Sequence, residues 1–250
     1  MSGHSKWATI KHKKGALDAK RGKLFTKLIK ELTVAARMGG GDASGNPRLR
    51  KAISDAKGQQ MPADTIKRAV QRGTGELEGA NYEEILYEGT GPGGTLFVAE
   101  VMTDNRNRTV AEIRKVFEKN GGAMGAGGTA AWAFDRKGII ILAKTAATED
   151  QLMETAVGAG ADDYSDIGDD WQILCEPSQL DPVSKALEAA KITVKSANLG
   201  YVPKNKKEVT GREAEVCLNL AEALDDHDDV QNVFSDFDIS DEEMTRLAGA

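Results

Sequence analysis

Apolar positions recur every three or four residues near the start of the chain. Between residues 17 and 36 this spacing predicts a long amphipathic helix. The glycines at 39–41 end the pattern, because glycine favours a helix C-terminus. Two shorter helices are predicted next, one after residues 46–47 (Asn-Pro) and one starting near Pro62. The glycine-rich stretch 73–79 is predicted to be a linker.

Beyond residue 80 the pattern changes to apolar strands that alternate with helices. Strands are predicted over 82–88, 95–102, 130–134, 138–143, 163–167, 171–175, 192–197 and 230–237. Helices are predicted around 110–117 and over 148–158, 180–190 and 212–224. From residue 137 to residue 199 the order is β-α-β-β-α-β, which is the ferredoxin-like arrangement.

The fold class predicted from these elements is α+β. A basic helical domain covers residues 1–76, and two α+β domains of ferredoxin-like character follow it. One is discontinuous, over 80–135 plus 200–240, and the other, over 137–199, is inserted into it. A chain of 250 residues is long enough for this division.

Charge is distributed very unevenly between the two ends of the chain. Residues 1–72 hold 17 Lys and Arg against 5 Asp and Glu, whereas residues 73–250 hold 16 against 34. The formal charges are therefore +12 and −18, which a net charge of −6 and a pI near 5.3 conceal. Clustered cations that release counterions from phosphates are typical of nucleic-acid-binding proteins. The alternative is a solvated basic helix without a partner.

The composition also indicates where such a protein works. No stretch approaches the roughly 20 apolar residues that span a bilayer, and the N-terminus lacks the apolar core of a secretory signal. Cys175 and Cys217 each lie in an apolar run, so we expect buried thiols in a reducing compartment. These features predict a cytoplasmic protein without a membrane partner.

The candidate nucleic-acid-binding residues are cations and one tryptophan. Lys20, Lys23, Lys27 and Lys30 share one helix face, opposite the apolar stripe, and are expected to meet solvent or phosphate. Trp7 could stack on a base or anchor the N-terminal segment to its own helices. The complete set is Lys6, Trp7, Lys11, His12, Lys13, Lys14, Lys20, Arg21, Lys23, Lys27, Lys30, Arg48, Arg50, Lys51, Arg106 and Arg108.

Two of these candidates, Arg106 and Arg108, come from a polar segment at residues 103–109. This segment connects a predicted strand to a predicted helix and is dense in Arg and Asn. These side chains could contact bases and phosphates. Alternatively, Asp104 and Thr109 cap the helix while the arginines pair with the acidic surface. The sequence leaves both interpretations open.

No catalytic or metal site is predicted. The Gly89-x-Gly91-x-x-Gly94 spacing matches a dinucleotide motif but leads into a strand, so it lacks the helix N-terminus that binds phosphate. The glycines at 121–128 lack the Gly-Lys-Ser/Thr ending of a phosphate-binding loop. The aspartates around His227, at 225–229, could hold a divalent cation, but a solvated turn is favoured. We therefore expect no cofactor, no metal and no enzymatic activity.

Several motifs together resemble those of the YebC family. They are residues 3–7 (GHSKW), 19–27 (AKRGKLFTK), 39–42 (GGGD), 46–50 (NPRLR), 87–95 (YEGTGPGGT) and 104–109 (DNRNRT). They are spread over the first half of the chain, and length and layout agree to the C-terminus. The resemblance implies a helical N-terminal domain and two α+β domains. It also implies a non-enzymatic regulator of gene expression.

The resemblance leaves the type of regulation open. Members of the family are labelled DNA-binding transcriptional regulators, whereas others, including mitochondrial translational activators of cytochrome oxidase, act in translation. We favour an RNA-directed translation factor that contacts ribosomal RNA at the ribosome. The alternative is a DNA-binding transcriptional regulator.

Overall fold

The computed structural model describes residues 17–248 and begins with a three-helix domain. Its helices are α1 (Leu17–Gly39), α2 (Pro47–Gly58) and α3 (Ala63–Thr74). Leu32, Leu49 and Ile66 form the centre of its core. Asn46 starts α2 by accepting a hydrogen bond from the Leu49 N–H at 3.1 Å. These bounds confirm the three helices predicted from the sequence.

The predicted linker begins too early. Gly73 lies inside α3, where that helix crosses α1 closely. A Cβ atom at Gly73 would lie 2.3 Å from the carbonyl oxygen of Thr33, closer than any side chain tolerates. The glycine therefore permits helix packing here and does not end the helix.

The rest of the described chain alternates between strands and helices. In chain order they are β1 (Glu83–Thr90), β2 (Leu96–Thr103), α4 (Arg106–Lys119), β3 (Ala123–Met124), β4 (Phe134–Ala143), α5 (Glu149–Leu152), β5 (Ala161–Asp166), β6 (Asp170–Cys175), α6 (Leu180–Ala189), β7 (Ser196–Pro203), β8 (Lys207–Glu208), α7 (Gly211–Asp225), β9 (Val230–Ser235), β10 (Phe237–Asp238) and α8 (Asp241–Ala248). A π-helical turn, Met153–Val157, continues α5. The short strands β8 and β10 pair in parallel.

The inserted domain is ferredoxin-like, as predicted. Its four strands are antiparallel in the order β5-β6-β4-β7, and α5 and α6 complete the β-α-β-β-α-β unit. Ile140, Leu142, Ile173 and Leu187 are fully buried in its core.

Two predicted strands at the borders of the inserted domain are wrong in position. The segment 130–134 is mostly a 3-10 turn, Ala131–Ala133, and β4 starts only at Phe134. The last strand runs over Ser196–Pro203 instead of 192–197. The reason is tertiary, since Phe134 pairs with Pro203 and the long β4–β7 ribbon packs against the other sheet.

The discontinuous domain, which we call the host domain, has an antiparallel sheet in the order β3-β1-β2-β9. The inserted sheet has the same arrangement, in which β6 occupies the position of β1. The difference is that β1 comes first in the chain, before the other strands of its sheet. Helices α4 and α7 bury one face of the sheet around Phe97, Phe117 and Leu220. The opposite face receives the β4–β7 ribbon, where the rings of Tyr201 and Phe234 lie 5.4 Å apart.

The structure also bears on the cysteines and on membrane spanning. Cys175 and Cys217 are both free and buried, which confirms the predicted environment of the thiols. Burial raises the pKa of each thiol. Within residues 17–248, no helix combines the length and apolarity needed to cross a bilayer.

Candidate nucleic-acid interface

The lysine face of α1 lies against residues 225–229, which begin at the last residue of α7; we call this segment the acidic turn. Lys23 donates to the carbonyl oxygen of Asp226 at 2.9 Å, and Lys27 to that of Asp225 at 2.9 Å. Both lysines also pair with the corresponding carboxylates at 3.2 Å. The last carbonyl groups of a helix lack partners within the helix and carry partial negative charge. The lysines of α1 supply these partners from another domain.

Asp229 lies at the centre of this contact and is only 4% exposed. Its carboxylate accepts hydrogen bonds from Lys30 at 2.5 Å, Thr109 at 2.6 Å and Arg108 at 2.8 Å. Burial alone would raise the pKa of Asp229, but these three hydrogen bonds outweigh it and hold the pKa well below its usual range. The charged carboxylate therefore joins α1 to the start of α4.

Two predictions about these charges are wrong. Lys30 is only 5% exposed, and its ammonium group also donates to the carbonyl oxygens of Asp228 at 2.8 Å and Met102 at 3.2 Å. The lysine face therefore meets neither solvent nor phosphate at Lys30, and Lys27 is mostly covered as well. The second wrong prediction is that residues 225–229 form a solvated turn, because Asp229 in this turn is buried. Helical periodicity identifies the face opposite the helix's own core, but not a second domain that covers it.

Arg48 forms a second link between the helical domain and the host domain. Its guanidinium group holds Glu31 of α1 at 2.7 and 3.0 Å and Glu84 of β1 at 2.7 and 3.1 Å. These bonds, led by the one to Glu31, raise the pKa of Arg48. Arg50 donates to the carbonyl oxygens of Ala43 and Ser44, while Lys51 pairs with Asp55 one turn along α2.

Arg106 and Arg108 lie in the first turn of α4, which therefore begins within the segment 103–109. The expectation that Asp104 and Thr109 cap the helix is wrong, because Asn105 caps it by accepting from the N–H of Arg108 at 3.1 Å. Arg108 pairs with Asp229 at 2.8 Å and Asp104 at 3.2 Å, so for this residue the acidic-surface alternative holds. Arg106 is exposed.

The side chains of the remaining candidates are not described by the structure. Lys6, Trp7, Lys11, His12, Lys13 and Lys14 lie outside the described residues. Lys20 and Arg21 belong to the first turns of α1, for which the structure describes the backbone alone. Their proposed role in binding stays a prediction.

Known proteins resemble this chain over its full length. A family model described as the N-terminal domain of TACO1/YebC protein matches residues 5–76, and another, described as the TACO1/YebC second and third domain, matches residues 82–237. The chain belongs to the TACO1/YebC family. The resemblance noted from the sequence motifs is thereby confirmed.

Individual members of the TACO1/YebC family agree with this assignment. A "Probable transcriptional regulatory protein" of Koribacter versatilis is 57% identical over 249 residues and covers 100% of both chains. A relative of the same name from Geobacter sulfurreducens is 55% identical, over 99% of this chain and 100% of its own. The crystal structure of a conserved hypothetical protein from Aquifex aeolicus is 40% identical, with a TM-score of 0.85 over 90% of this chain and 93% of that one.

In this TACO1/YebC protein a cleft of about 780 Å³ lies beside the acidic turn. Lys23, Tyr82, Lys115, Lys119 and His227 contribute to its lining. The cleft has acidic as well as basic walls, since Asp104, Glu112, Asp226 and Asp228 also face it. This mixture of charges makes it a poor site for a phosphate backbone.

Glu112, His227 and Asp229 bring one potential metal-ligand atom each to within 4.8 Å of one another. However, Asp229 is already bound by two cationic side chains, Lys30 and Arg108, which oppose a further cation. The imidazole of His227 accepts from the Asp229 N–H at 3.1 Å and lies 3.0 Å from Glu112 through its other nitrogen. These contacts describe a positioned turn and not a cation site.

Among the described residues of the helical domain, α2 and α3 carry further exposed positive charge. Lys57, Lys67, Arg68 and Arg72 are exposed, and we call these four the α2–α3 cations. Arg68 and Arg72 are four residues apart on one helix face, and Arg68 pairs with Asp64 at 2.7 Å. None of the four was among the predicted binding residues. For Lys67, Arg68 and Arg72, the available signal was their position away from the apolar face of α3.

Proposed function

We propose that this protein is a regulator of gene expression that acts by binding nucleic acid through its helical domain and not by catalysis. The observation that carries the proposal is the charge division, +12 over residues 1–72 against −18 over the remainder. The names of its relatives support a regulatory role.

The docked lysines refine where a polyanion would bind. Lys27 and Lys30 are largely covered where they contact the acidic turn, so they contribute little to an external phosphate surface, and the more exposed Lys23 pairs with Asp226. The α2–α3 cations are exposed and belong to the same domain. Together with the basic N-terminal residues they form the contact that we propose.

The same charge division favours RNA as the target. A long, uniform duplex laid along the protein would approach the acidic domains, which repel phosphates. An irregular, folded RNA can present a short anionic surface to the helical domain without lying along the acidic surface of the other domains. We therefore propose a cytoplasmic translation factor that contacts ribosomal RNA, with the ribosome as its partner.

The second candidate function is DNA-binding transcriptional regulation. It is favoured by the printed names of the relatives from Koribacter versatilis and Geobacter sulfurreducens. Specific promoter recognition predicts tighter binding to promoter DNA than to scrambled DNA at physiological salt, whereas the RNA hypothesis predicts no such preference.

A salt titration of binding tests the proposed surface. The full-length chain would be titrated with a labelled RNA stem-loop and with duplex DNA of the same length, from about 50 to 200 mM salt. The variant Lys67→Glu/Arg72→Glu should reduce the slope of log K against log salt by roughly one to two units. The control Lys185→Glu/Lys191→Glu changes the net charge equally at exposed lysines of the inserted domain and should leave the slope unchanged. Equal slopes for both variants would refute the surface.

Sedimentation of cell lysate at low salt tests the ribosomal target. We expect the wild-type protein in the ribosomal fractions and the Lys67→Glu/Arg72→Glu variant at the top of the gradient. Absence of the wild-type protein from those fractions, together with preferential binding to promoter DNA, would replace the translation role with the transcriptional one.

A further inference from the structure

An isolated tryptophan projects from the host domain. Trp132 is 67% exposed, although tryptophan is usually covered in a folded protein. It lies between β3 and β4, in the segment that runs beside Glu88 near the hairpin joining β1 to β2. The acidic turn contacts the opposite end of β2, at Met102. Trp132 is therefore remote from the interface with the helical domain.

The segment that carries Trp132 is held firmly in place. The carboxylate of Glu88, only 5% exposed, accepts hydrogen bonds from the backbone N–H groups of Gly128 at 2.8 Å and of Ala130 and Ala131 at 2.6 Å. Burial alone would raise the pKa of Glu88, but these three bonds outweigh it and lower the pKa. A charged, buried anchor therefore orders the residues that lead to the indole.

The polar edge of the indole is already satisfied within the protein. The Nε1–H of Trp132 donates to the carbonyl oxygen of Thr129 at 3.1 Å. The ring therefore needs no polar partner from outside, while its exposed area is apolar. An ordered ring in this state loses little conformational entropy when a flat ligand stacks on it.

Positive charge lies beside the backbone of Trp132. Lys204 donates to the carbonyl oxygen of Trp132 at 2.9 Å and lies 3.6 Å from Asp135. Lys204, Lys206 and Lys207 are exposed and stand within four consecutive residues, followed by Glu208. This is the densest group of cations in the otherwise acidic segment 73–250.

We propose that Trp132 is a stacking site for an unpaired base of a single-stranded nucleic acid, with Lys204 and its neighbours next to the flanking phosphates. An aromatic face beside cations is the usual means of binding single strands without reading their sequence. A duplex hides its base faces, and an apolar protein partner would require apolar neighbours where Asp135 and Lys204 lie. This site rests on the proposed function and adds a second contact to that of the helical domain.

Affinity measurements on the full-length chain test the stacking role. Trp132→Ala should weaken binding of a labelled single-stranded RNA of about ten nucleotides roughly tenfold, the typical value for losing one stacked base. Trp132→Phe, which keeps an aromatic face, should retain most of the affinity. Trp171→Phe is the matched control, because Trp171 packs in the inserted domain and its Nε1–H donates to Ala147. Unchanged affinity of Trp132→Ala would overturn the inference.

Tryptophan fluorescence reports directly on stacking at Trp132, because a purely structural role of Trp132 would not make its emission respond to RNA. In the variant Trp7→Phe/Trp171→Phe the emission comes from Trp132 alone. Single-stranded RNA should quench it, and fully duplex RNA of the same length should not. A single-stranded DNA arm shows whether the 2′-hydroxyl contributes. Quenching by duplex RNA equal to that by the single strand would also contradict stacking.

The outcomes separate this inference from the proposed function. If the wild-type chain binds RNA in a salt-dependent way and Trp132→Ala binds equally well, the stacking site is refuted and the proposed function is not. A wild-type chain that binds neither RNA nor DNA refutes both. Loss of ribosome sedimentation in Trp132→Ala, without any change in oligonucleotide affinity, would assign Trp132 to a protein surface and overturn the stacking site.

Discussion

The helical domain carries two groups of cations that look alike in the sequence but have different partners in the structure. Lys23, Lys27 and Lys30 of α1 contact the acidic turn of another domain, and Lys30 is buried there. The α2–α3 cations stay exposed. The comparison teaches that a basic stripe on a helix can serve to dock a domain and need not bind a ligand.

The two groups should respond to mutation in opposite ways. In a buried ion pair, the attraction between well-aligned partners offsets the cost of removing both charges from water. Removing one partner therefore leaves the other charge buried and uncompensated. An exposed cation loses little hydration in the folded state and affects stability weakly. Stability measurements therefore report on the docked group, and salt-dependent binding reports on the exposed group.

The largest expected effect comes from removing the carboxylate of Asp229. Asp229→Ala should lower the free energy of unfolding by about 3 to 5 kcal/mol, because Lys30 and Arg108 lose a buried counter-charge. Urea denaturation of the full-length chain measures it. Asp228→Ala is the control, since Asp228 is exposed and contacts Lys30 through its backbone carbonyl. Equal effects of the two variants would mean that Asp229 does not hold the domains together.

A smaller effect is expected from acidification of the same carboxylate. The pKa of Asp229 is lower in the folded protein than the ordinary value of about 3.9 in the unfolded chain. Its stabilising contribution is therefore complete above about pH 4 and is lost as the pH falls toward the folded pKa.

Urea midpoints measured between about pH 7 and pH 3 test this dependence. The midpoint of the wild-type protein should fall more steeply below about pH 4 than that of Asp229→Asn, which has no carboxylate to titrate at this position. Glu100 and Asp236, whose burial raises their pKa values, act in the opposite direction and equally in both proteins. Parallel pH profiles would contradict the assignment.

Lys27 provides a direct test of docking against ligand binding. Lys27→Ala should lower the free energy of unfolding by about 1.5 kcal/mol, through loss of a partly buried, charged hydrogen-bond donor to Asp225. The salt slope of RNA binding should not change. A variant with wild-type stability and a reduced slope would place Lys27 on the binding surface and remove the distinction between the two groups.

The smallest effect is expected at an exposed pair on α2. Lys51→Ala removes the ion pair with Asp55 one turn away and should cost about 0.3 to 0.5 kcal/mol. A loss above 1 kcal/mol, measured by the same denaturation, would show that exposed cations of this domain also stabilise the fold.

The sequence predicts most elements because local patterns determine them. The helical spacing of Leu24, Leu28 and Leu32 defines α1, and Asn46 before Pro47 marks the start of α2. The positions of β4 and β7 were less predictable, since Phe134 and Pro203 are extended by pairing with each other over a long separation. Gly73 was mistaken for a linker residue because its reason, the approach of α1, is not local.

By itself, the sequence determined the α+β class, the ferredoxin-like insertion, the family and the separation of charge between the two ends. Only the tertiary structure decided which charges remain available. It buries Lys30 with Asp229, 199 residues away, and it leaves Trp132 uncovered. The physical reason is that periodicity is a property of neighbouring residues, whereas desolvation depends on surfaces that distant parts of the chain bring together.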